Sequence, residues 1–252
     1  MKKQIALITG STSGIGQATA RLFAENNIEL ICCGRREDRL EELKGELSGK
    51  TGVITLSFDV RDKEAVKKSL ESLQASWRKI DILVNNAGNA HGLSFIQEGD
   101  LNDWDAMIDI NIKGLLYVSR VIIPGMIERK SGHIVNIGSV AGQEVYPRGN
   151  VYCASKFAVD AINRGMRIDL NEHGIKVTAI NPGLVETEFA RVRFKGDEEK
   201  ASGVYQGYEP LTPEDIADCI LFAITRPAHV VIADMLVFPK DQASSTIVNR
   251  KS

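Results

Sequence analysis

The 252-residue sequence lacks the patterns that mark several classes of protein. Its four cysteines, Cys32, Cys33, Cys153 and Cys219, have no metal-ligand spacing and predict no disulfide framework. The 31 Lys and Arg residues nearly balance the 33 Asp and Glu residues, without the basic excess of nucleic-acid-binding proteins. The apolar run after Met1 is too short for a signal sequence or a membrane span. These absences favour a cytoplasmic protein with no metal, nucleic-acid or membrane partner.

The chain also lacks internal repeats, low-complexity segments and any change of composition that would separate two domains. Short, apolar, β-branched strand patterns alternate with amphipathic helix patterns from one end to the other. Strands of this kind are typical of a parallel sheet with helices on both faces. We therefore predict one α/β domain over residues 1–252, a Rossmann fold with a doubly wound, seven-stranded parallel sheet.

A glycine-rich turn follows the first strand pattern, residues 5–8, and precedes a helix pattern. The turn reads Thr9-Gly10-Ser11-Thr12-Ser13-Gly14-Ile15-Gly16. Backbone amides and a helix N-terminus in this arrangement can contact a pyrophosphate. The Gly-x-x-x-Gly-x-Gly spacing is one residue longer than the usual dinucleotide fingerprint, and a tight turn without a ligand is the alternative. Because further strand–helix units follow, we favour a nucleotide site.

Arg35 and Arg36 follow the second strand pattern, residues 28–33. In a dinucleotide-binding fold this strand end faces the adenosine ribose, where an acidic residue binds the free 2′-hydroxyl and arginine accommodates a 2′-phosphate. Guanidinium groups bind phosphate through paired N–H donors, whereas a lone cation at a helix start opposes the helix macrodipole. We therefore predict that the cofactor is NADP rather than NAD. The alternative is that both arginines are solvated and bind no phosphate.

Tyr152 and Lys156 lie one turn apart in a helix pattern that spans residues 151–172, so they share a face. An ammonium beside a phenol lowers the phenol's pKa from its reference value of about 10, which gives a general acid/base near neutral pH. For the pair alone, an ordinary amphipathic helix is the alternative.

Polar or small residues follow most of the other strand patterns, at the sheet edge that carries the ligand crevice in this fold. Asn111 lies within an apolar helical stripe, where a core amide with internal partners is the alternative. We also predict that Pro124 kinks or divides the helix over residues 104–130. The last strand is predicted over residues 230–238, with two half-strands as the alternative, because Asp234 breaks its pattern. The strand-end residues are Gly10, Arg35, Asp59, Asn86, Ser139 and Pro182.

These motifs, in this order, resemble the short-chain dehydrogenase/reductase family. The resemblance spans nearly the whole chain and implies a one-domain, seven-stranded Rossmann fold in a homotetramer or homodimer. The motifs are Thr9-Gly10-x-x-x-Gly14-Ile15-Gly16, Asn85-Asn86-Ala87-Gly88, Asn111, Ser139, Tyr152-x-x-x-Lys156 and Asn181-Pro182-Gly183.

The resemblance implies a complete catalytic tetrad. Tyr152 would exchange a proton with the substrate oxygen, and Lys156 would lower the tyrosine's pKa and bind the nicotinamide ribose. Ser139 would bind the substrate oxygen, and Asn111 would hold a water that relays protons. NADP would be bound by Gly10, Ser11, Thr12, Ser13, Gly14, Ile15, Arg35, Arg36, Asp59, Val60, Asn86, Tyr152, Lys156, Pro182, Gly183, Val185 and Thr187.

Residues 33–40, 192–197 and 211–217 further resemble the NADP-dependent 3-hydroxy acid dehydrogenases. This subgroup oxidises serine, allo-threonine and related 3-hydroxy acids such as 3-hydroxypropionate, and it reduces malonic semialdehyde. The segment Val237-Phe238-Pro239-Lys240 lacks the Gly-Gly turn typical of 3-oxoacyl-carrier-protein reductases. The resemblance implies hydride transfer between the nicotinamide and C3 of a short 3-hydroxy acid. The alternatives are a broad NADPH carbonyl or ketone reductase and a non-catalytic NADP-binding regulator.

Residues 188–207 are charged and contain glycines, and we predict that they form a substrate lid with short helices. A 3-hydroxy acid needs a cation for its carboxylate, and Arg148, Arg191 and Arg193 are the candidates. We predict that Arg193 binds the carboxylate and that Ser139 and Tyr152 complete the substrate site. A solvated loop arginine is the alternative for each candidate.

Overall fold

The computed structural model describes residues 3–251, in which strands and helices alternate as predicted. All seven strands lie in one sheet in the order β3-β2-β1-β4-β5-β6-β7, and every neighbouring pair is parallel. The predicted fold is therefore confirmed. The strands are β1 (Ile5–Thr9), β2 (Glu29–Gly34), β3 (Val53–Ser57), β4 (Ile82–Asn85), β5 (Gly132–Ile137), β6 (Ile175–Pro182) and β7 (Asp234–Val237).

Helices cover both faces of the sheet and two of them are short. The helices are α1 (Gly14–Glu25), α2 (Glu37–Leu47), α3 (Lys63–Glu71), α4 (Leu101–Ile108), α5 (Leu115–Arg129), α6 (Asn150–Asp169), α7 (Glu188–Arg193), α8 (Glu198–Gly203) and α9 (Pro213–Ile224). No helix within residues 3–251 is both long and apolar enough to cross a membrane.

The strands are apolar on both faces because each face packs into its own core. Ile8 and Cys32 belong to one apolar cluster, and Leu7 and Cys33 belong to the cluster on the other side. Successive side chains of a strand point to opposite faces, which explains the uninterrupted apolar runs in the sequence. Both thiols are buried, and burial raises the pKa of Cys32 to about 12. The two cysteines are core residues.

Two predicted element boundaries differ from those of the structure. Helix α5 continues through Pro124, so the predicted division of the long helix at this residue is wrong. The division lies earlier, where a π-helical segment, Asp109–Gly114, separates α4 from α5 and includes Asn111. A π-turn inserts an extra residue into the helical repeat and is frequent at functional sites. The last strand is shorter than predicted, because β7 spans only Asp234–Val237 and begins where Asp234 breaks the sequence pattern. The carboxylate of Asp234 accepts a hydrogen bond from Asn181 Nδ2 (2.9 Å).

Side-chain caps begin two of the helices that flank the sheet. Thr212 and Asp215 form a capping box at the start of α9. Asp62 caps α3 through the backbone amides of Glu64 and Ala65. Asp59, which follows β3, accepts a hydrogen bond of 2.6 Å from Arg61. Asp59 therefore keeps its side chain at the end of β3, beside the predicted cofactor site.

His133 makes the stability of this fold pH-dependent. It lies buried on β5, and its Nε2 is 2.8 Å from Thr178 Oγ1, which itself donates to the carbonyl of Ile232. Burial lowers the pKa of His133 from its ordinary value of 6.5 to about 4. Between these values the unfolded chain binds the proton and the folded protein does not. The free energy of unfolding should therefore fall by up to about 3 kcal/mol as pH drops through this window.

The variant His133→Gln isolates this contribution to stability, because glutamine retains a donor for Thr178 but does not titrate. Urea unfolding at pH 7 and at pH 4.5 should show a smaller acid-induced loss in the variant than in the native chain. An equal loss in both would assign the acid sensitivity to other groups.

Candidate active site

A cleft with a volume of about 510 Å³ opens at the carboxyl ends of the strands. Parallel sheets of this type bind ligands at this edge, because the strand order reverses there and leaves a crevice. Among the predicted site residues, the cleft is lined by Gly10, Thr12, Ser13, Gly14, Ile15, Arg35, Arg36, Asp59, Val60, Asn86, Ser139, Tyr152, Lys156, Pro182, Gly183, Val185, Thr187 and Arg193.

Two predicted residues lie behind this surface. Ser11 is fully buried, and both its amide and its hydroxyl donate to the carbonyl of Cys33, at 3.1 and 3.2 Å. Ser11 therefore fixes the glycine-rich turn to the end of β2. Asn111 lies behind Gly88, whose position would bring an added Cβ within 3.0 Å of the Asn111 Oδ1.

The glycine-rich turn has the backbone shape that a dinucleotide needs. Gly10 and Gly14 have φ values of +67° and +51°, in the left-handed region that favours glycine. A Cβ on Gly16 would lie 2.4 Å from the carbonyl oxygen of Gly10. Asn86 supports the turn, because its Nδ2 donates to the carbonyls of Thr9 (2.9 Å) and Gly10 (3.2 Å). The turn and the start of α1 thus fit a pyrophosphate.

The two predicted phosphate-binding arginines have different environments. Arg35 is exposed and lies 3.7 Å from the carboxylate of Asp59. Arg36 is fixed to the glycine-rich turn, because its Nη2 donates to Thr12 Oγ1 and to Ser13 Oγ, both at 2.9 Å. Both guanidinium groups border the cleft beside the end of β2, where a 2′-phosphate would lie. Their placement agrees with the prediction of NADP.

The four predicted catalytic residues come from three elements and are all buried. Tyr152 and Lys156 lie one turn apart on α6, Ser139 follows β5, and Asn111 lies in the π-helical segment. The Lys156 ammonium donates to the carbonyl of Ile137 (2.9 Å). Ser139, Tyr152 and Lys156 therefore line one cleft, and Asn111 lies behind its surface.

Asn111 is a tightly bonded amide. Its Oδ1 accepts from the amide of Asn89 (2.9 Å), and its Nδ2 donates to the carbonyl of Asn89 (2.8 Å) and to Ser155 Oγ (3.0 Å). The amide therefore has internal partners, and its predicted role in holding a proton-relaying water stays a prediction. These contacts lock the loop after β4 against α6, on the side of the cleft where Lys156 lies.

Burial changes the acid–base properties of the tetrad. It raises the pKa of Tyr152 above its usual value, and hydrogen bonding to Ser139 and the nearby Arg193 cation oppose this rise. Burial also lowers the pKa of Lys156 to about 8. The groups that lower the pKa of Tyr152 in this structure are Ser139 and Arg193, and the predicted effect of Lys156 on the phenol stays a prediction. The cation that acts on the phenol in this arrangement is Arg193.

Comparison with known proteins agrees with this arrangement. The model of the short chain dehydrogenase family matches residues 4–198, which includes the glycine-rich turn and the whole tetrad. This chain belongs to the short-chain dehydrogenase family. The family predicted from the ordered motifs is confirmed.

Relatives of known name cover nearly the full chain. It is 48% identical over 240 residues to the NADP-dependent 3-hydroxy acid dehydrogenase YdfG of Salmonella typhi, with 95% of this chain and 96% of that protein covered. It is 46% identical over 242 residues to sulfoacetaldehyde reductase 2 of Chromohalobacter salexigens, with 96% of each covered. A solved structure of the closed form of serine dehydrogenase complexed with NADP+ is 44% identical, with a TM-score of 0.93 and coverage of 99% of this chain and 100% of that one.

Arg193 is the candidate arginine that this member of the family directs into its cleft. Its Nη1 donates to Tyr146 Oη (2.9 Å), its Nε donates to the carbonyl of Gly92 (3.2 Å), and its Cζ is 5.6 Å from the centre of the Tyr152 ring. Arg148 instead stacks on Phe95. Arg191 forms an exposed ion pair with Glu198 (2.7 Å).

The predicted lid, residues 188–207, contains the two short helices α7 and α8, and its first part lines the cleft. Tyr205 Oη donates to the carbonyl of Val185 (2.9 Å), and Arg250 Nη2 donates to the carbonyl of Val204 (2.9 Å). The C-terminal tail also contributes Gln242, which is buried and accepts from the amide of Leu184 (2.8 Å).

Sequence reasoning missed four residues of the site. Tyr146 orients Arg193, and Phe189 packs on Tyr152 with 5.6 Å between ring centres. Glu188 and Arg39 form an ion pair of 2.7 Å at the edge of the cofactor site. Arg39 has one readable signal, since it lies one helical turn after Arg35 and Arg36. The other three are ordinary loop or lid residues in the sequence.

Proposed function

We propose that this protein is an NADP-dependent oxidoreductase that transfers hydride between the nicotinamide and C3 of short 3-hydroxy acids such as serine. The decisive observation is the fixed guanidinium of Arg193, which lies beside the ring of Tyr152 in the same cleft. The names of the relatives agree with this substrate class, and they confirm the predicted enzyme class and the cofactor NADP.

The cofactor supplies only the hydride acceptor or donor, the C4 position of its nicotinamide. During oxidation, Tyr152 would act as the phenolate and accept the proton of the substrate hydroxyl at its Oη, and bound NADP+ would supply the hydride acceptor for C3. Ser139 hydrogen-bonds the substrate oxygen and keeps it beside the phenol. By the family resemblance, Asn111 would hold a water that relays protons toward Lys156, and Lys156 would also bind the nicotinamide ribose.

The remaining predicted residues hold NADP along the cleft. The glycine-rich turn binds the pyrophosphate, and Arg35 and Arg36 bind the 2′-phosphate. Asp59 and Val60 would flank the adenine, and residues 182–187 would line the nicotinamide carboxamide. Within residues 3–251 there is no group of three or more His, Cys, Asp or Glu side chains that could hold a metal ion.

The position of Arg193 favours a 3-hydroxy acid by simple geometry. In such a substrate one carbon separates the carboxylate from the carbon that bears the hydroxyl. When the substrate hydroxyl lies at Ser139 and Tyr152, the carboxylate therefore lies about the width of the Tyr152 ring away, on the side of Arg193. Arg193 retains free N–H donors for it, because only its Nε and Nη1 have partners among the described residues. Paired donors of this kind bind carboxylates in a planar fork.

Turnover of serine tests the proposal directly. Purified protein with NADP+ and serine at alkaline pH should produce NADPH, measured by nicotinamide absorbance, and NAD+ should be a poorer cofactor. Activity on neutral ketones but on no 3-hydroxy acid would favour a broad carbonyl reductase. NADPH binding without turnover of any carbonyl would favour a regulator.

Arg193→Met removes the carboxylate anchor and keeps an apolar side chain of similar length. The kcat/KM for serine should fall by about 100-fold, because an ion pair with two hydrogen bonds is lost. Serinamide has an uncharged amide in place of the carboxylate of serine. The kcat/KM for serinamide should fall less than about threefold. Steady-state kinetics on both substrates give the comparison.

The matched control for this experiment is Arg191→Met, which removes an exposed cation from the same helix. Its kcat/KM for serine and for serinamide should stay within about twofold of the native values, because exposed ion pairs contribute little. Equal losses on serine and serinamide in Arg193→Met would contradict the carboxylate role.

We propose a homotetramer in the cytoplasm, with a homodimer as the alternative. All four cysteines are free, which agrees with a reducing compartment. Leu116 on α5 and Phe157 on α6 are exposed apolar side chains, as expected where these helices pack between subunits. Sedimentation equilibrium distinguishes the monomer, dimer and tetramer masses.

A further inference from the structure

Glu188, the first residue of α7, contacts two arginines on the cofactor side of the cleft. Its Oε2 accepts from Arg36 Nη1 (2.9 Å), and its Oε1 accepts from Arg39 Nη1 (2.7 Å). Although burial raises the pKa of this carboxyl, the two arginines lower it to about 2. The carboxylate is therefore charged at any working pH and connects the lid to the start of α2.

The last residue of the same helix is Arg193. An α-helix rises 1.5 Å per residue, so α7 spans only about 9 Å from Glu188 to Arg193. One end of this short helix is paired with the arginines that follow β2, and the other end is bonded to Tyr146 and Gly92 beside Tyr152. A displacement of the Glu188 end would move the Arg193 end.

Arg36 does not depend on Glu188 for its orientation. Three further contacts, with Thr12 Oγ1, the carbonyl of Thr12 and Ser13 Oγ, fix its guanidinium to the glycine-rich turn. The arginine is therefore the fixed partner and α7 is the movable one. Arg39 adds a second contact to the other carboxylate oxygen, so the helix is held in orientation as well as in position.

We propose that Glu188 is a positioning residue, which holds α7 against Arg36 and Arg39 so that Arg193 faces the carboxylate of the substrate. The effect on substrate binding rests on the proposed function of Arg193. The attachment of the lid to the cofactor side does not depend on it. Because Arg36 also serves the 2′-phosphate site, the placement of the substrate anchor is linked to the part of the protein that recognises NADP.

Glu188→Gln tests the kinetic part of the proposal, with Glu199→Gln as the matched control. Glu199 is an exposed lid residue, and its replacement removes the same charge without touching Arg36 or Arg39. The KM for serine should rise about fivefold in Glu188→Gln, as expected for two partly exposed ion pairs, with kcat within about twofold. The KM of Glu188→Gln for serinamide should stay unchanged. In Glu199→Gln, the KM for serine and the KM for serinamide should both stay unchanged. Equal KM changes for serine and serinamide would overturn the proposal.

The double variant Glu188→Gln/Arg193→Met distinguishes positioning from an independent effect. If Glu188 acts through Arg193, the double variant should bind serine no more weakly than Arg193→Met alone. Independent, additive losses would overturn the proposal, because distant residues with separate roles show additive effects.

Limited proteolysis gives a readout that needs neither cofactor nor substrate. Trypsin sites in the lid include Arg191, Lys195 and Lys200. In the cofactor-free protein, Glu188→Gln should be cleaved there several times faster than the native chain and Glu199→Gln. Equal rates would show that Glu188 does not hold the lid. If the native protein does not oxidise serine, the proposed function is contradicted. If Glu188→Gln is still cleaved faster in the lid in that case, the attachment of the lid by Glu188 is supported.

Discussion

Tyr152→Phe is expected to lower kcat for serine oxidation by about 1,000-fold, within the usual range for loss of a general acid/base. The variant keeps the aromatic ring, which is buried and packs on Phe189 with 5.6 Å between ring centres. It removes only the hydroxyl that faces Ser139. Neither a cavity nor an unpaired charge is created, so the loss reports proton transfer and not folding.

The cofactor provides the internal check for this result. NADP+ affinity, measured by fluorescence titration, should change less than about threefold, because most cofactor contacts lie at the glycine-rich turn and the arginines. Tyr117→Phe, which removes a phenol hydroxyl from α5 outside the cleft, should retain native activity. A Tyr152→Phe variant with activity within about tenfold of the native protein would exclude Tyr152 as the proton donor.

The pKa values of the buried pair bear on the same step. Burial disfavours both the phenolate of Tyr152 and the ammonium of Lys156, so it raises the pKa of the tyrosine and lowers the pKa of the lysine, and the two values move apart. The uncharged form of each side chain is therefore the form that burial favours. Sequence spacing predicts that the two side chains are close. It does not predict that Arg193, 41 positions away by residue number, is the cation beside the phenol.

The fold and the tetrad could be predicted because each has a local signature. Strand patterns such as Ile5–Thr9 are uninterrupted apolar runs, and Ser139 directly follows one of them. The contact of Glu188 with Arg36 joins residues 152 positions apart, and no local pattern encodes it. The π-helical segment at Asn111 was missed for a different reason. Its sequence has ordinary helical spacing, and the extra residue is accommodated only by packing.

Gly16→Ala is expected to weaken NADP+ binding by about 100-fold, or about 3 kcal/mol. A Cβ at this position would lie 2.4 Å from the carbonyl oxygen of Gly10 and 2.5 Å from Asn86 Nδ2. The first is backbone, and the second is held by hydrogen bonds to Thr9 and Gly10, so neither can move alone. Helix α1 must shift away from the turn, and the amides that face the pyrophosphate lose their alignment.

The same variant should lose about 1–3 kcal/mol of unfolding free energy, the usual cost of overpacking. Gly45→Ala is the matched control, because no atom lies within 4 Å of its added Cβ and it is in the exposed middle of α2. That variant should gain about 0.5–1 kcal/mol, since alanine restricts the unfolded chain and favours helix. Urea unfolding and NADP+ titration of both variants separate a general glycine effect from the close approach at Gly16. Native NADP+ affinity in Gly16→Ala would mean that the turn does not bind the pyrophosphate.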